Sequence, residues 1–221
     1  KKLFKFFHFP IPLTMILRYL MINIKNLSYS VGGHVLLDQA NAVINAGHKV
    51  GLIGRNGSGK TTLFKLILEE VTPDSGEVTI HKSQRIATVA QDAPSGKMTL
   101  IASVLAADTE MTDLQARSEI STDPNEIAAI HTRLADIGAQ TAPTRAARIL
   151  SGLGFDEESQ QRSLESFSGG WRMRVALAAT LFSRPDILLL DEPSNHLDLE
   201  ACLWLESYLA SWRGTLIVIS H

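Results

Sequence analysis

The run Gly54-Arg55-Asn56-Gly57-Ser58-Gly59-Lys60-Thr61 constrains the fold more than any other stretch, because it fits the phosphate-loop pattern G-x-x-x-x-G-K-[ST]. Its context fits as well. The preceding segment ends in Val50-Gly51-Leu52-Ile53, which reads as a buried strand, and Thr62 to Glu69 reads as a helix. Between such elements the glycines let backbone N–H groups converge on phosphate oxygens, and the helix N-terminus adds positive potential. Lys60 is placed to reach β- and γ-phosphates, and the Thr61 hydroxyl to ligate Mg²⁺.

A second constellation lies far downstream. Ile187 to Leu190 is an all-apolar strand followed by Asp191-Glu192-Pro193, so two carboxylates emerge at the C-terminal end of a buried strand, where a doubly wound sheet binds its ligands. Asp191 can hold the Mg²⁺ shell. Glu192 is then available to orient or deprotonate an attacking water. Upstream of this strand, Ser168-Gly169-Gly170 opens the amphipathic run Trp171 to Phe182.

The pattern along the chain predicts an α/β fold of the P-loop NTPase kind: a β-rich lobe that carries the phosphate loop, a mostly parallel core sheet and an inserted α-helical subdomain over about 92–183. Strands are expected at Ile22 to Ser30, Asn41 to Ile53, Val78 to Ile80 and Arg85 to Ala90, broken by Gly32-Gly33 and Ala46-Gly47. Helices are expected at Leu100 to Ala107, Glu126 to Ile137, Arg145 to Leu150, Gly170 to Phe182 and Leu199 to Ser211, and a last strand at Thr215 to Ile219.

Charge is unevenly distributed. Residues 1–91 hold 11 Lys/Arg against 5 Asp/Glu, whereas residues 92–165 hold 6 against 12, so the middle of the chain is a poor footprint for nucleic acid. The single cysteine, Cys202, excludes an internal disulfide and fits a reducing compartment. Residues 1–20 read as a leader outside the fold, with Met21 as the natural start; Pro10, Pro12 and Arg18 interrupt its apolar run, and no small-residue cleavage pattern follows Tyr19. Membrane insertion is not expected.

Taken in order from about Ile22 to His221, these motifs resemble an ATP-binding cassette (ABC) nucleotide-binding domain. The resemblance makes Ser168-Gly169-Gly170 the family signature, with Phe167 where Leu is usual, and Gln91 the glutamine that contacts Mg²⁺ and water. It makes Asp198, in Ser194-Asn195-His196-Leu197-Asp198, the D-loop aspartate and His221 the switch histidine at the γ-phosphate. Tyr29 is implied to stack on adenine; as a strand residue it also reads as a half-buried aromatic. The implied ligands are ATP and Mg²⁺, held by Tyr29, residues Gly54 to Thr62, Gln91 and Asp191. His34, His48, His81, His131 and His196 lack metal-ligand spacing, and Arg172 and Arg174 read as solvated.

Within that family, Ser168 to Arg174 and Leu190 to Asp198 resemble the ABC-F class, and the 77 positions between Gln91 and Ser168 suit the extra arm some members carry. That resemblance implies a cytoplasmic ATPase that works on the ribosome with a second cassette, each signature capping the nucleotide of the other half. An ATPase subunit of a membrane transporter and a non-hydrolysing ATP-binding module remain as alternatives.

Overall fold

The computed structural model describes residues 20–90 and 92–220. The expected leader, apart from Leu20, and the expected site residues Gln91 and His221 lie outside the described residues. Strands β1 (Leu20–Val31), β2 (His34–Asn45) and β3 (Lys49–Leu52) lead to helix α1 (Lys60–Ile67), followed by β4 (Ser75–Ile80) and β5 (Ile86–Thr88). Helices α2 (Leu100–Leu105), α3 (Thr109–Ile120), α4 (Pro124–Asp136), α5 (Ala142–Gly152) and α6 (Glu157–Gln160) come next. Then follow α7 (Gly169–Phe182), β6 (Ile187–Asp191), α8 (Leu199–Ala210) and β7 (Thr215–Ile219).

Two sheets result. One is antiparallel, of order β2-β1-β4, and the other is parallel throughout, of order β3-β7-β6-β5. Gly32 and Gly33, both at positive φ (56° and 82°), form the tight turn between β1 and β2 that a side chain would strain. Strand β6 alternates between two apolar clusters. Leu188 and Leu190 join α2, α5, α7 and α8 on one face, while Ile187 and Leu189 join α1 and β1 on the other. Both faces of the parallel sheet are therefore covered, which is why the strand has no polar residue before Asp191.

Two expectations need correction, and one helix has no counterpart among them. The expected break at Ala46-Gly47 divides the Asn41 to Ile53 segment into strands of two different sheets, and β2 begins at His34 and not at Asn41. Val50 to Ile53 is not a buried strand: β3 lies at the sheet edge among the described residues, Gly51 is exposed, and Ile53 is 84% exposed. Helix α3 was not foreseen because it carries one buried residue, Met111, and hence no apolar stripe.

Helices α3 and α4 pair as a hairpin whose only buried side chains in the two helices are Met111 and Ile130. Local chemistry shapes it. The Asp108 and Asp123 carboxylates accept from Met111 N and Asn125 N at the two helix starts. Across the hairpin, Arg133 Nε donates to Glu110 Oε1 at 2.6 Å, and near its tip Arg117 Nη2 donates to Glu126 Oε1 at 2.7 Å. The Arg133 bond holds the Glu110 carboxyl below the usual range, and Arg117, then Ser121, do the same to Glu126. Because both folded pKa values are depressed, this stabilisation is present above the ordinary carboxylate range and is lost as pH falls through the folded values. We expect amide protection of α3 and α4 to fall at acid pH before that of β6 and β7. Hydrogen exchange measures it, and equal loss in both regions would reject the ion pairs as the cause. The effect is expected to be local and small, because both pairs are exposed.

Candidate functional site

The phosphate-loop residues sit between the two sheets' contributions. Gly59 caps α1 in the left-handed region (φ 88°), and a Cβ there would come within 3.2 Å of Leu36 Cβ on β2, so glycine suits both the backbone and the space. Because Gly59 offers no side-chain cap, the first-turn N–H groups of α1 remain without one, the condition that attracts an anion to a helix start. Arg55, Asn56, Gly57 and Ser58 are exposed, Gly54 and Thr62 half-buried, and Ser58 N closes a turn on Arg55 O at 3.1 Å. Lys60 Nζ donates to Gly54 O at 2.7 Å and Arg55 O at 3.2 Å, so its ammonium lies over the loop.

From the other end of the fold, the parallel sheet delivers Asp191. The Thr61 hydroxyl donates to Asp191 Oδ2 at 2.7 Å, bringing together the two expected metal ligands that can be located. A hydroxyl and a carboxylate in contact beside a glycine cradle fit the oxygen donor set of a hard divalent cation and the phosphates it accompanies. Glu192 follows at a positive φ of 46°, anchored by its N–H to Ile219 O of β7 at 3.0 Å. Asn195 Nδ2 donates to Glu192 Oε2 at 3.1 Å. A left-handed non-glycine backbone is a strained conformation that surrounding structure must enforce, and here the adjacent strand does so.

A cleft of about 540 Å³ opens beside Thr61 and Asp191, lined also by Lys65, Glu192, and Met173 and Arg174 of α7, but not by Gly54 to Lys60. Ser168, Gly169 and Gly170 do not line it. Ser168 begins α7 without a side-chain bond to the helix, and a Cβ on Gly169 would meet nothing within 4 Å, so this turn presents an open surface. Phe167 holds it from behind, edge-on to Phe155 and under the Arg162 guanidinium.

The structure corrects the reading of Arg174. Its side chain is 10% exposed: Nε donates to His196 O at 2.7 Å, and Nη1 donates to Asp198 Oδ2 at 2.8 Å and Leu153 O at 3.2 Å. The guanidinium also lies 4.3 Å from the Trp171 ring centroid. Asp198 caps α8 by accepting from Ala201 N, and that bond, followed by Arg174, holds its carboxyl below the usual range. Arg172, also read as solvated, is only half-exposed, with its Nε buried. Tyr29 is half-buried on β1 opposite Leu37 and packs against the cluster that includes Phe64 and Ile217. Asn195 is a site neighbour to which the sequence assigns no role of its own, although it lies in the Asn-His-Leu-Asp run, and Arg174 is one whose role helical periodicity hides.

Comparison with known proteins accords with this geometry. The model of the ABC transporter family matches residues 37–195. The Escherichia coli protein called probable ATP-binding protein YheS is 46% identical over 204 residues, covering 91% of this chain and 32% of that protein. Human ATP-binding cassette sub-family F member 3 is 42% identical over 212 residues, covering 90% of this chain and 29% of that protein. The chain thus spans about a third of the length of these curated relatives. Among solved structures, an ATP-binding subunit of an ABC transporter superposes with a TM-score of 0.68 at 19% identity, over 91% of this chain and 79% of that one, a likeness of fold. No helix among the described residues is long and apolar enough to cross a membrane.

Proposed function

Because the chain belongs to the ABC transporter family, we propose that it is a cassette of the F sub-family type that binds Mg·ATP and, closed against a second cassette, hydrolyses it as a conformational switch. The contact of Thr61 with Asp191 at 2.7 Å, beside a loop over which Lys60 is already placed, carries this reading. Gly54 to Thr62 would cradle phosphates through backbone N–H groups, with Lys60 exchanging two loop carbonyls for phosphate oxygens. Thr61 and Asp191, with Gln91, would hold Mg²⁺. When bound, that cation neutralises charge on the phosphates.

Glu192 orients a water for in-line attack on the γ-phosphorus and takes its proton, while the bond to the β–γ bridging oxygen breaks and ADP leaves. His221 would contact the γ-phosphate and Tyr29 the adenine face. Ser168, Gly169 and Gly170 would cap the nucleotide of the second cassette, with Asp198 near the junction. Identity of 42–46% to relatives that include an F sub-family protein supports a further proposal, that the full-length protein is cytoplasmic and acts on the ribosome in translation.

Lys60→Ala tests the binding half of the reading. In full-length protein, ATP affinity at this cassette is expected to fall roughly 10- to 100-fold, the loss of one charged hydrogen-bonding partner. Calorimetric titration with Mg·ATP measures it; wild-type affinity in the variant would reject the assigned role.

A further inference from the structure

The loop from Glu192 to Asp198 and the helix that starts at Gly169 are joined through one guanidinium. On the loop side, two tight turns, Asn195 N to Glu192 O and Leu197 N to Ser194 O, keep the segment compact, and the Asn195 amide touches Glu192 Oε2. Arg174 then takes the His196 carbonyl and the Asp198 carboxylate from this loop. It takes Leu153 O from the connection after α5 and the face of Trp171 from its own helix. A planar guanidinium with fixed donor directions, largely withdrawn from water, permits little relative motion of the groups it bonds.

From this geometry we infer that Arg174 is a positioning residue that makes the Glu192–Asp198 loop and the Ser168-Gly169-Gly170 turn move as one unit. The inference rests on the proposed two-cassette reading and deepens it. Under that reading, Glu192 serves the nucleotide bound by this chain, whereas Ser168 serves the nucleotide bound by the partner cassette. A rigid link between them makes each site sensitive to closure of the other. His196 reinforces the connection, since its Nδ1 lies 3.9 Å from where a Cβ on Gly170 would stand.

The test uses full-length protein in two single-site backgrounds. Glu192→Gln leaves hydrolysis to the partner cassette, and the equivalent change in the partner leaves it to this one. Arg174→Ala is expected to lower kcat at least tenfold in both backgrounds, with ATP affinity within about threefold of each parent. Arg174→Lys retains the charge but not the fork; it is expected to keep Tm close to the parent and still lose kcat at both sites, which guards against simple unfolding of the Ala variant. A loss confined to one background, or no loss in either, would overturn the link. So would full recovery of both sites by Lys. Wild-type full-length protein that hydrolyses no ATP would overturn the functional reading, and the link with it.

Discussion

In full-length protein whose second cassette already carries the equivalent change, Glu192→Gln is expected to leave ATP affinity within about threefold of that parent while cutting the remaining turnover roughly 100- to 1,000-fold, the range general-base removal commonly costs. Gln keeps the length of Glu192 and an oxygen that can accept from Asn195 Nδ2, so the backbone at φ 46° and its bond to Ile219 O should persist. It cannot accept a proton from water. Phosphate release gives kcat and calorimetry gives Kd, and the split between them is the diagnostic. Turnover close to that of the parent would reject Glu192 as the base. The same variant addresses the ribosomal proposal. A protein that closes on ATP but cannot hydrolyse it accumulates in the closed state. ATP-dependent co-sedimentation with ribosomes should then exceed that of wild type, and identical sedimentation with and without ATP would sink that part of the reading alone.

The second large effect is structural. Gly152→Ala would place a Cβ 1.9 Å from Trp204 Cε2, so the indole of α8 must move or α5 must tilt. Trp204 has little freedom, because it stacks on Tyr208 at 5.0 Å and packs against the larger apolar cluster. Overpacking of this severity is expected to destabilise by about 3 kcal/mol. Thermal or denaturant unfolding measures it. Adding Trp204→Phe should recover part of the loss, because the smaller ring vacates the contested space and the two changes share one contact. Strictly additive effects would show that the contact is not the origin. Since Gly152 closes α5 and Trp204 lies on the helix that Asp198 caps, the variant also tests how the helical region is seated on the sheet.

What could be read in advance follows from the range of the forces involved. The glycine-rich loop ahead of a helix and the carboxylates at a strand end were legible because each pattern is demanding over a few consecutive residues, and the structure has Thr61 and Asp191 in contact. The two covered faces of β6 were legible from an uninterrupted apolar run. Helix α3 was not, since it carries an aspartate cap and exposed ion pairs with α4 but no buried stripe. Arg174 was misjudged for a related reason. Helical periodicity marks a charged residue as outward-facing, but its partners Leu153 O, His196 O and Asp198 are 21 to 24 positions away and become visible only in the fold. Ile53 erred in the opposite direction, apolar yet 84% exposed at the end of an edge strand.

The hydrogen bonds from Lys60 to Gly54 and Arg55 bear on kinetics as much as on affinity. With its ammonium already tethered to the loop's own carbonyls, the Lys60 side chain has less rotamer freedom to surrender when an anion arrives. Association then becomes an exchange of one set of oxygen acceptors for another, a side-chain event on the nanosecond scale, and the encounter itself sets the on-rate. Differences in nucleotide affinity among variants of this loop should accordingly be written mainly in residence time.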